Sequence, residues 1–239
     1  MILFLCILLA CTKGTIFDSG RASSGVLLSG AEYRLGWKEP ANSFEFNRFF
    51  ENNLGYQIEL STAWMVHYSL RLYPCPRSSR RIPGISLASA GHSDIAVPSN
   101  WSNSWAENLL SYSEIEDSVE FAEHRVCDLV YTIARSDAST KGMPEEIDLE
   151  QKTLLIEGRW SKGREAEAFV WETALPSESV YSLEGLHYNG ERAIRVELLR
   201  DRGHLFDDIE FEDMESERAS VQLFSNLMQN MEIQIEFFE

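Results

Sequence analysis

Residues 58–72 read IELSTAWMVHYSLRL, with apolar or aromatic side chains at nearly every even position and polar side chains at most odd positions. Successive side chains of a strand point to opposite faces, so this alternation predicts one long, half-buried β-strand rather than a helix. At about 3.3 Å per residue the strand would reach roughly 50 Å, far longer than an ordinary strand. We therefore expect a bend, bulge or break inside it.

Shorter runs with strand character follow in the second half of the chain, at residues 153–157, 168–173, 180–188, 193–199, 208–212 and 231–238. Between the third and fourth, Tyr188-Asn189-Gly190-Glu191 is typical of a type I′ hairpin turn, whose two central residues need positive φ. This turn would set Leu183 opposite Val196. It would also place Glu184 opposite Arg195 as a cross-strand ion pair.

The period changes at Ser104, where apolar residues begin to follow steps of three and four: Trp105, Leu109, Tyr112, Ile115, Val119, Ala122 and Val126. This spacing predicts an amphipathic helix near residues 104–126, with Ser104 and Glu107 as its capping box. We expect the helix to cover the sheet or to close one end of it. Residues 219–230 fit either a short helix or a further strand.

These elements together predict a mainly β protein, with α+β as the alternative, in which an antiparallel sheet curls into a barrel or sandwich. An apolar segment at residues 1–14 would precede a single β-rich domain at residues 15–239. Residues 74–104 are rich in serine and proline and show little periodicity, which predicts a long loop.

Gly158-Arg159-Trp160 resembles the Gly-x-Trp motif of the lipocalins. That motif opens the lipocalin barrel, whereas here only 79 residues follow Trp160, so the resemblance is one of architecture only. A barrel of this kind would enclose a cavity for an apolar ligand. The aromatic residues predicted to line it are Trp64, Tyr68, Trp160, Phe169 and Trp171.

Four phenylalanines have a spacing that suits a short amphipathic helix, namely Phe44, Phe46, Phe49 and Phe50. Asn52, Asn53 and Gly55 would close that helix. The rings could line a pocket, although packing beneath a sheet is the commoner use of phenylalanine.

The net charge of −17 is unevenly distributed, because residues 1–100 carry +2 and residues 101–239 carry −19. Such an acidic surface disfavours binding to nucleic acids or anionic membranes. In the predicted strand 208–212, Ile209 and Phe211 would face inward while Asp208, Glu210 and Glu212 line the outer face. These carboxylates could dock a basic partner, bind calcium, or remain solvated at the edge of a sheet.

The first ten residues are uninterruptedly apolar, which suits a signal-peptide core but is too short to span a bilayer. No basic residue precedes this core, Leu8-Leu9-Ala10-Cys11 also resembles a bacterial lipobox, and a buried first strand is the alternative. Secretion and an intracellular location thus both remain open. Removal of a signal peptide would leave Cys75 and Cys127 as a possible disulfide.

No nucleotide-binding, hydrolase or zinc-protease motif occurs in the chain, and nothing indicates a catalytic residue or a cofactor. On the predicted helix, Glu120, His124 and Cys127 could converge on a metal. Two functions remain. The first is a non-enzymatic β-barrel that binds a small apolar ligand such as a lipid or pigment, and the alternative is an acidic accessory or assembly subunit that docks a basic protein.

Overall fold

The computed structural model describes residues 15–16, 30–38, 48–74, 99–101, 104–111, 114–120, 126–183, 193–212 and 214–238. The elements within these residues are β1 (Thr15–Ile16), β2 (Gly30–Trp37), β3 (Phe49–Glu51), β4 (Gln57–Pro74), β5 (Ser99–Trp101), β6 (Trp105–Asn108), β7 (Ile115–Glu120), β8 (Val126–Ile133), β9 (Leu154–Lys162), β10 (Glu165–Thr173), β11 (Ser177–Ser182), β12 (Ala193–Arg200), α1 (Ser216–Gln229) and β13 (Glu232–Phe238). The predicted apolar segment 1–14, the hairpin turn at 188–191 and most of the predicted loop 74–104 lie outside the described residues.

The strands form two sheets, which confirms the mainly β fold. Sheet A has the order β1-β13-β12-β2-β7 and sheet B the order β10-β9-β4-β8-β11, while β3, β5 and β6 also pair with β4. Strands run parallel where β1 meets β13 and where β12 meets β2, and the other pairs are antiparallel. The curled antiparallel sheet forms a half-barrel, and one helix lies near the C-terminal end.

The long predicted strand exists as β4, which spans 18 residues and pairs with β3, β5, β6, β8 and β9. Its register shifts between Leu60 and Thr62 against β9 and again between His67 and Ser69 against β8. Each shift is a β-bulge, in which the strand gains one residue relative to its partner and its alternation of faces changes phase. The expected interruption is therefore confirmed, and a third irregularity, in which β8 gains the extra residue, lies between Tyr73 and Pro74.

The two bulges make the predicted single apolar face of β4 wrong in its middle third. Ile58 and Leu60 face the core before the first bulge, and Leu70 and Leu72 face it after the second. Between the bulges the inward residues are Ala63, Met65 and His67, all nearly inaccessible to solvent. Trp64 and Val66 consequently lie on the outer face.

A second apolar layer covers these outward residues. The segment between β8 and β9 folds over the outer face of sheet B, where Leu149 packs with Val66, Ala106 and Leu155. Half-buried Trp64 joins the same cluster. The middle of β4 is thus buried on both faces, which explains why its sequence there lacks a polar side.

The main core lies between the inner faces of the two sheets and includes α1. Helix α1 packs on β10 and β11, and it contributes Leu223, Phe224 and Leu227 to the core. At its first residue, the Ser216 hydroxyl accepts a hydrogen bond from the amide of Glu172 in β10 and donates one to the carbonyl oxygen of Glu172, both at 2.8 Å. The helix is therefore fixed to the edge strand β10 as well as to the core.

The helix predicted near residues 104–126 is wrong. Strands β6 and β7 occupy its first two thirds, and β8 begins at Val126. A turn follows β6, in which Asn108 accepts hydrogen bonds from the amides of Leu110 and Ser111. Short strands separated by such a turn brought apolar residues to helix-like steps by chance, so the periodicity did not identify the element.

The predicted hairpin register is also wrong. Strand β11 pairs with β8, whereas β12 is flanked by β13 on one side and β2 on the other. Val196 therefore lies opposite Ile235 and Tyr33 instead of Leu183. Both edges of β12 are occupied by strands distant in the sequence, so no edge remained for the preceding strand.

Three local predictions have mixed outcomes. Residues 208–212 form a loop, with Asp208 at φ 61°, although Ile209 and Phe211 are buried as predicted. The ambiguous region 219–230 belongs to the helix Ser216–Gln229. Phe49 and Phe50 lie in strand β3 instead of a helix, because the short strand pairs with the start of β4.

Candidate functional site

Seven rings form an aromatic cluster on the inner face of the half-barrel: Phe50, Tyr56, Trp160, Phe169, Trp171, Phe206 and Phe211. The ring of Phe211 stacks on Trp171 with centroids 4.9 Å apart and meets Phe169 edge-on at 5.1 Å. It also lies 5.3 Å from Tyr56. Phe211 thus fills the space between the rings that β9 and β10 contribute.

The structure brings together three of the five residues predicted to line a ligand cavity. Trp160, Phe169 and Trp171 belong to the aromatic cluster, whereas Trp64 lies on the outer face of sheet B. Tyr68 stands at the second bulge of β4 and is 39% exposed. The five residues therefore do not share one chamber, because the bulges moved the two β4 aromatics away from the inner face.

Gly158 permits the close packing of Phe169 on the sheet. A Cβ at this position would lie 2.5 Å from the carbonyl oxygen of Glu59 and 3.1 Å from the ring of Phe169. The glycine of the Gly-x-Trp sequence therefore has a packing role here, at the point where β4 and β9 approach each other beside a bulge.

A cavity lies elsewhere, at the end of sheet B where β3, β4, β9 and β10 run side by side. It has a volume of about 490 Å³. Its lining residues are Phe49, Phe50, Glu51, Gln57, Ile58, Glu59, Arg159, Trp160, Ser161 and Ala166. We call this cavity the outer groove.

Strand alternation explains how one stretch of sheet builds the outer groove. Ile58 and Trp160 are paired, and their side chains are buried on the inner face, so these two residues lie beneath the outer groove. The paired residues Glu59 and Arg159 alternate with them and point to the outer face. Phe49, which lies opposite Glu59 in β3, is 57% exposed.

Within the described part of the chain, the polar side chains of the outer groove make no hydrogen bond or ion pair. Among the described residues, Glu51, Gln57 and Glu59 form no side-chain hydrogen bond or ion pair, and the same is true of Arg159. Glu59 and Arg159 are directly opposed across two strands yet make no ion pair. Donors and acceptors are therefore available to a ligand. These polar residues could not be predicted from the sequence, because isolated charges on a strand form no motif.

A second polar constellation is completely buried between the two sheets. Four side chains meet there, and none of them is more than 2% exposed: His67 of β4, Glu107 of β6, Tyr131 of β8 and Arg200 of β12. The His67 Nε2 lies 2.6 Å from a Glu107 carboxylate oxygen, and its Nδ1 lies 2.5 Å from the Tyr131 hydroxyl. We call these four residues the buried network.

Arg200 and Trp37 complete the partners of the Glu107 carboxylate. The Arg200 guanidinium donates a hydrogen bond to each oxygen of the Glu107 carboxylate, and the bond from Nη2 measures 2.9 Å. Its Nε donates to the carbonyl oxygen of Gly36 at 3.1 Å. The Trp37 indole donates to the same carboxylate at 2.8 Å and stacks on Arg200 at 4.0 Å. A buried charge pair is tolerated only with such complete hydrogen bonding.

The pKa values assign the protons of the buried network. Burial lowers the pKa of His67, and the adjacent Arg200 charge reinforces the effect against the pull of Glu107. Burial alone would raise the pKa of Glu107, but Arg200 and His67 outweigh it and hold that pKa well below its ordinary value. Burial also raises the pKa of Tyr131. Neutral Tyr131 therefore donates to Nδ1 of neutral His67, which donates from Nε2 to ionised Glu107.

The buried network links the two sheets. Its side chains bridge β4, β6 and β8 of sheet B to β12 of sheet A, and solvent reaches none of the groups that could transfer a proton. Its His–Glu–Tyr composition resembles proton-transfer sites in chemistry only. We therefore interpret it as a polar clamp between the two halves of the core.

The carboxylates predicted to bind a partner lie on the loop before α1. The Asp208 carboxylate accepts a hydrogen bond of 2.8 Å from Asn53, while the side chains of Glu210 and Glu212 are exposed and form no described hydrogen bond or ion pair. Buried Asn52 and Asn226 hold this loop in place through its carbonyl oxygens at 2.7 to 3.2 Å. The loop is thus fixed at its base and acidic on its outer side.

The structure bears on the predicted disulfide of Cys127 and on the predicted metal site at Glu120, His124 and Cys127. Cys127 is disulfide-bonded, and its partner is one of the other three cysteines, all outside the described residues. Pro74 pairs with Val126, and Cys75 directly follows Pro74, which favours Cys75 as the partner of Cys127. The bridge between Cys75 and Cys127 stays a prediction. Glu120 and Cys127 lie in different strands, so the helical convergence on a metal does not exist; His124 lies outside the described residues.

No protein-family model matches this chain, and searches of curated proteins and of solved structures return no similar protein. The helix in the described part of the chain does not have the length and apolar character needed to cross a membrane. Fold and site therefore define a class of protein and no more: a β half-barrel with a filled aromatic interior and a polar groove on its outer face.

Proposed function

We propose that this protein is a non-enzymatic binding protein that holds a small molecule in the outer groove. The half-barrel fold is compatible with binding. The observation that carries the proposal is a cavity of about 490 Å³ whose charged side chains make no ion pair or hydrogen bond among the residues that the structure describes. Ligand sites commonly measure about 300 to 1,000 Å³, so the size supports a small-molecule ligand.

The sequence predicted a small apolar ligand, such as a lipid or pigment. We now propose a ligand that is apolar on only one side and polar on the other. Phe49 and Ala166 offer apolar surface in the outer groove, and Trp160 is the predicted lining residue that borders it. Phe211 occupies the space between Trp160 and Trp171, so a wholly apolar ligand there would have to displace a packed ring. The groove suits a ligand with both apolar and polar sides.

The test is native mass spectrometry after incubation with the low-molecular-mass extract of the source cells. We compare the unchanged protein with Ala166→Trp, which fills the groove from an exposed position on β10. Val170→Trp is the matched control, because Val170 lies on the same face of the same strand but outside the groove. An added mass that disappears on denaturation should occur in the unchanged and control proteins and be absent from Ala166→Trp. Equal spectra for the three proteins would contradict the proposal.

Docking of a basic protein partner is the second candidate, and the exposed carboxylates of Glu210 and Glu212 favour it. They lie in the half of the chain that carries −19, on a loop whose base is held by buried amides. Such a surface would steer a basic partner by charge complementarity. We propose Asp208, Glu210 and Glu212 as its contact residues.

Pull-down from the same cells at increasing salt concentration tests the docking surface. Capture of a basic protein should weaken steeply between about 0.05 and 0.5 M salt, since screening shortens the range of charge interactions. Glu210→Lys with Glu212→Lys should abolish capture, while Glu145→Lys with Glu146→Lys, two exposed carboxylates on another loop, should not. Capture that is unaffected by salt or by the first pair would exclude this surface.

A further inference from the structure

We infer that the outer groove binds a sugar, whose ring would pack on Phe49 while its hydroxyls bond to Glu59 and Arg159. This inference rests on the proposed function and names its ligand class. It starts from the partner-free polar groups of the groove, because a ligand that covers them must replace their water with hydrogen bonds of its own.

The charges of the groove restrict the ligand first. Glu59 and Arg159 lie side by side on paired residues, so a ligand that touches one also approaches the other. A cation would pair with Glu59 but be repelled by Arg159, and an anion would meet the reverse. A hydroxyl group satisfies both, since it donates to the carboxylate and accepts from the guanidinium.

The neighbouring residues extend the same requirement. Glu51 and Gln57 form the next cross-strand pair along the groove and add an acceptor and an amide, which both donates and accepts. Hydrogen-bond acceptors and donors therefore alternate over the two neighbouring residue pairs, and the groove has no separate negative and positive ends. Several hydroxyls on one ring match this interleaving better than the two opposite charges of a zwitterion.

Phe49 supplies the apolar half of the match. Its side chain is 57% exposed at the end of a short strand and lines the groove. It lies opposite Glu59, beside the hydrogen-bonding groups. A pyranose presents C–H groups on one face and hydroxyls at its rim, so a single ring can cover Phe49 and reach the polar residues at once.

The first experiment applies the full-length protein to a glycan array of common hexoses, pentoses, N-acetylhexosamines and their oligomers. The best array ligand is then titrated by calorimetry against the unchanged protein and four variants. Phe49→Ala, Glu59→Gln and Arg159→Ala should each weaken binding at least about tenfold, through loss of packing or of charged hydrogen bonds. Val170→Ala, an exposed outer-face change outside the groove, should bind as the unchanged protein does.

Circular dichroism of every variant verifies folding, which these outer-face changes should preserve. An array without binding, or a sugar that binds equally to all variants, would overturn the sugar assignment. Glycine betaine and free amino acids are titrated in parallel as zwitterionic probes. If one of them binds and loses affinity in Glu59→Gln, the sugar class is wrong while the groove remains a binding site. If the extract experiment with Ala166→Trp also shows no groove ligand, both proposals fail.

Discussion

Phe211 illustrates how much of this fold depends on single residues. Its ring contacts Tyr56, Trp160, Phe169 and Trp171, and so joins the loop before α1 to strands β9 and β10. Neither the aromatic cluster nor the loop would remain packed without it, because the surrounding rings could close only part of the space.

We predict that Phe211→Ala lowers the free energy of unfolding by about 3 to 5 kcal/mol, through lost burial and the cavity left behind. Urea unfolding followed by tryptophan fluorescence measures the change. Phe49→Ala serves as the control and should cost less than about 0.5 kcal/mol, because that ring is largely exposed. An equal loss in both variants would show that Phe211 is not a central core residue.

His67 gives the fold a defined sensitivity to acid. Its pKa is depressed in the folded protein, so the unfolded chain binds a proton below about pH 6.5 that the folded chain does not. Stability should therefore fall as the pH drops from about 7.5 to 5.5, by about 1 kcal/mol. Glu107, whose pKa is also depressed, adds a further loss below about pH 4.5.

The variant His67→Gln should show a smaller loss of stability than the unchanged protein across the same pH interval, because glutamine does not titrate. Urea midpoints at both pH values measure this difference. His204→Gln is the control: the hydrogen bond to Asp207 raises the pKa of this exposed histidine, which gives it the opposite pH dependence. A pH dependence unchanged by His67→Gln would disprove the role of His67.

Among the elements, β4 shows best what the sequence could and could not predict. Its existence, extent and interruption followed from alternation, but the two bulge positions did not. Both faces of the middle of β4 are largely buried, so Trp64, Met65 and Val66 are all apolar. The shift in side-chain alternation at the bulges therefore cannot be recognised in the sequence. His67 looked like a surface residue because the sequence does not reveal that Glu107 and Arg200 arrive from other strands to satisfy it.

We predict that deletion of Ser61 is tolerated. The deletion removes the extra residue of the first bulge, after which simple alternation still places Leu60 and Ala63 inward. The expected cost is about 1 kcal/mol, from the lost hydrogen bond between Ser61 and the Glu157 carbonyl oxygen.

Deletion of Trp64 is the matched comparison and should prevent folding, because it reverses the faces of the residues beyond it up to the second bulge. Solubility, circular dichroism and thermal midpoints distinguish the two deletions. If both deletions behave alike, the first register shift does not control which residues face the core.

For the whole molecule, the fold class was predictable and the connectivity was not. Composition and strand spacing indicated a curled antiparallel sheet, which the half-barrel confirms. The neighbours of β12, however, are β13 and the distant β2, and no local signal such as Asn189-Gly190 carries that information. The outer groove was missed for the same reason, since its residues come from strands far apart in the chain.

The disulfide of Cys127 gives a prediction at this scale. Non-reducing peptide mapping should recover Cys75 joined to Cys127, because Cys75 directly follows Pro74 and Cys127 lies at the register shift opposite Tyr73 and Pro74. Cys127→Ser should lower the free energy of unfolding by about 2 to 4 kcal/mol, the usual effect of removing such a bridge. The reduced unchanged protein should match the variant; a bridge to Cys6 or Cys11 would refute the pairing.

The contact between Ser216 and Glu172 bears on how copies of this protein behave together. Strand β10 ends sheet B within the described residues, and an open strand edge invites a second chain to add its own strand there. At Glu172 the amide and the carbonyl oxygen are already taken by a hydroxyl from the protein's own helix. A neighbouring molecule therefore finds no free backbone hydrogen-bonding group at Glu172. The first turn of α1 thus disfavours self-association by strand addition at this point of the edge.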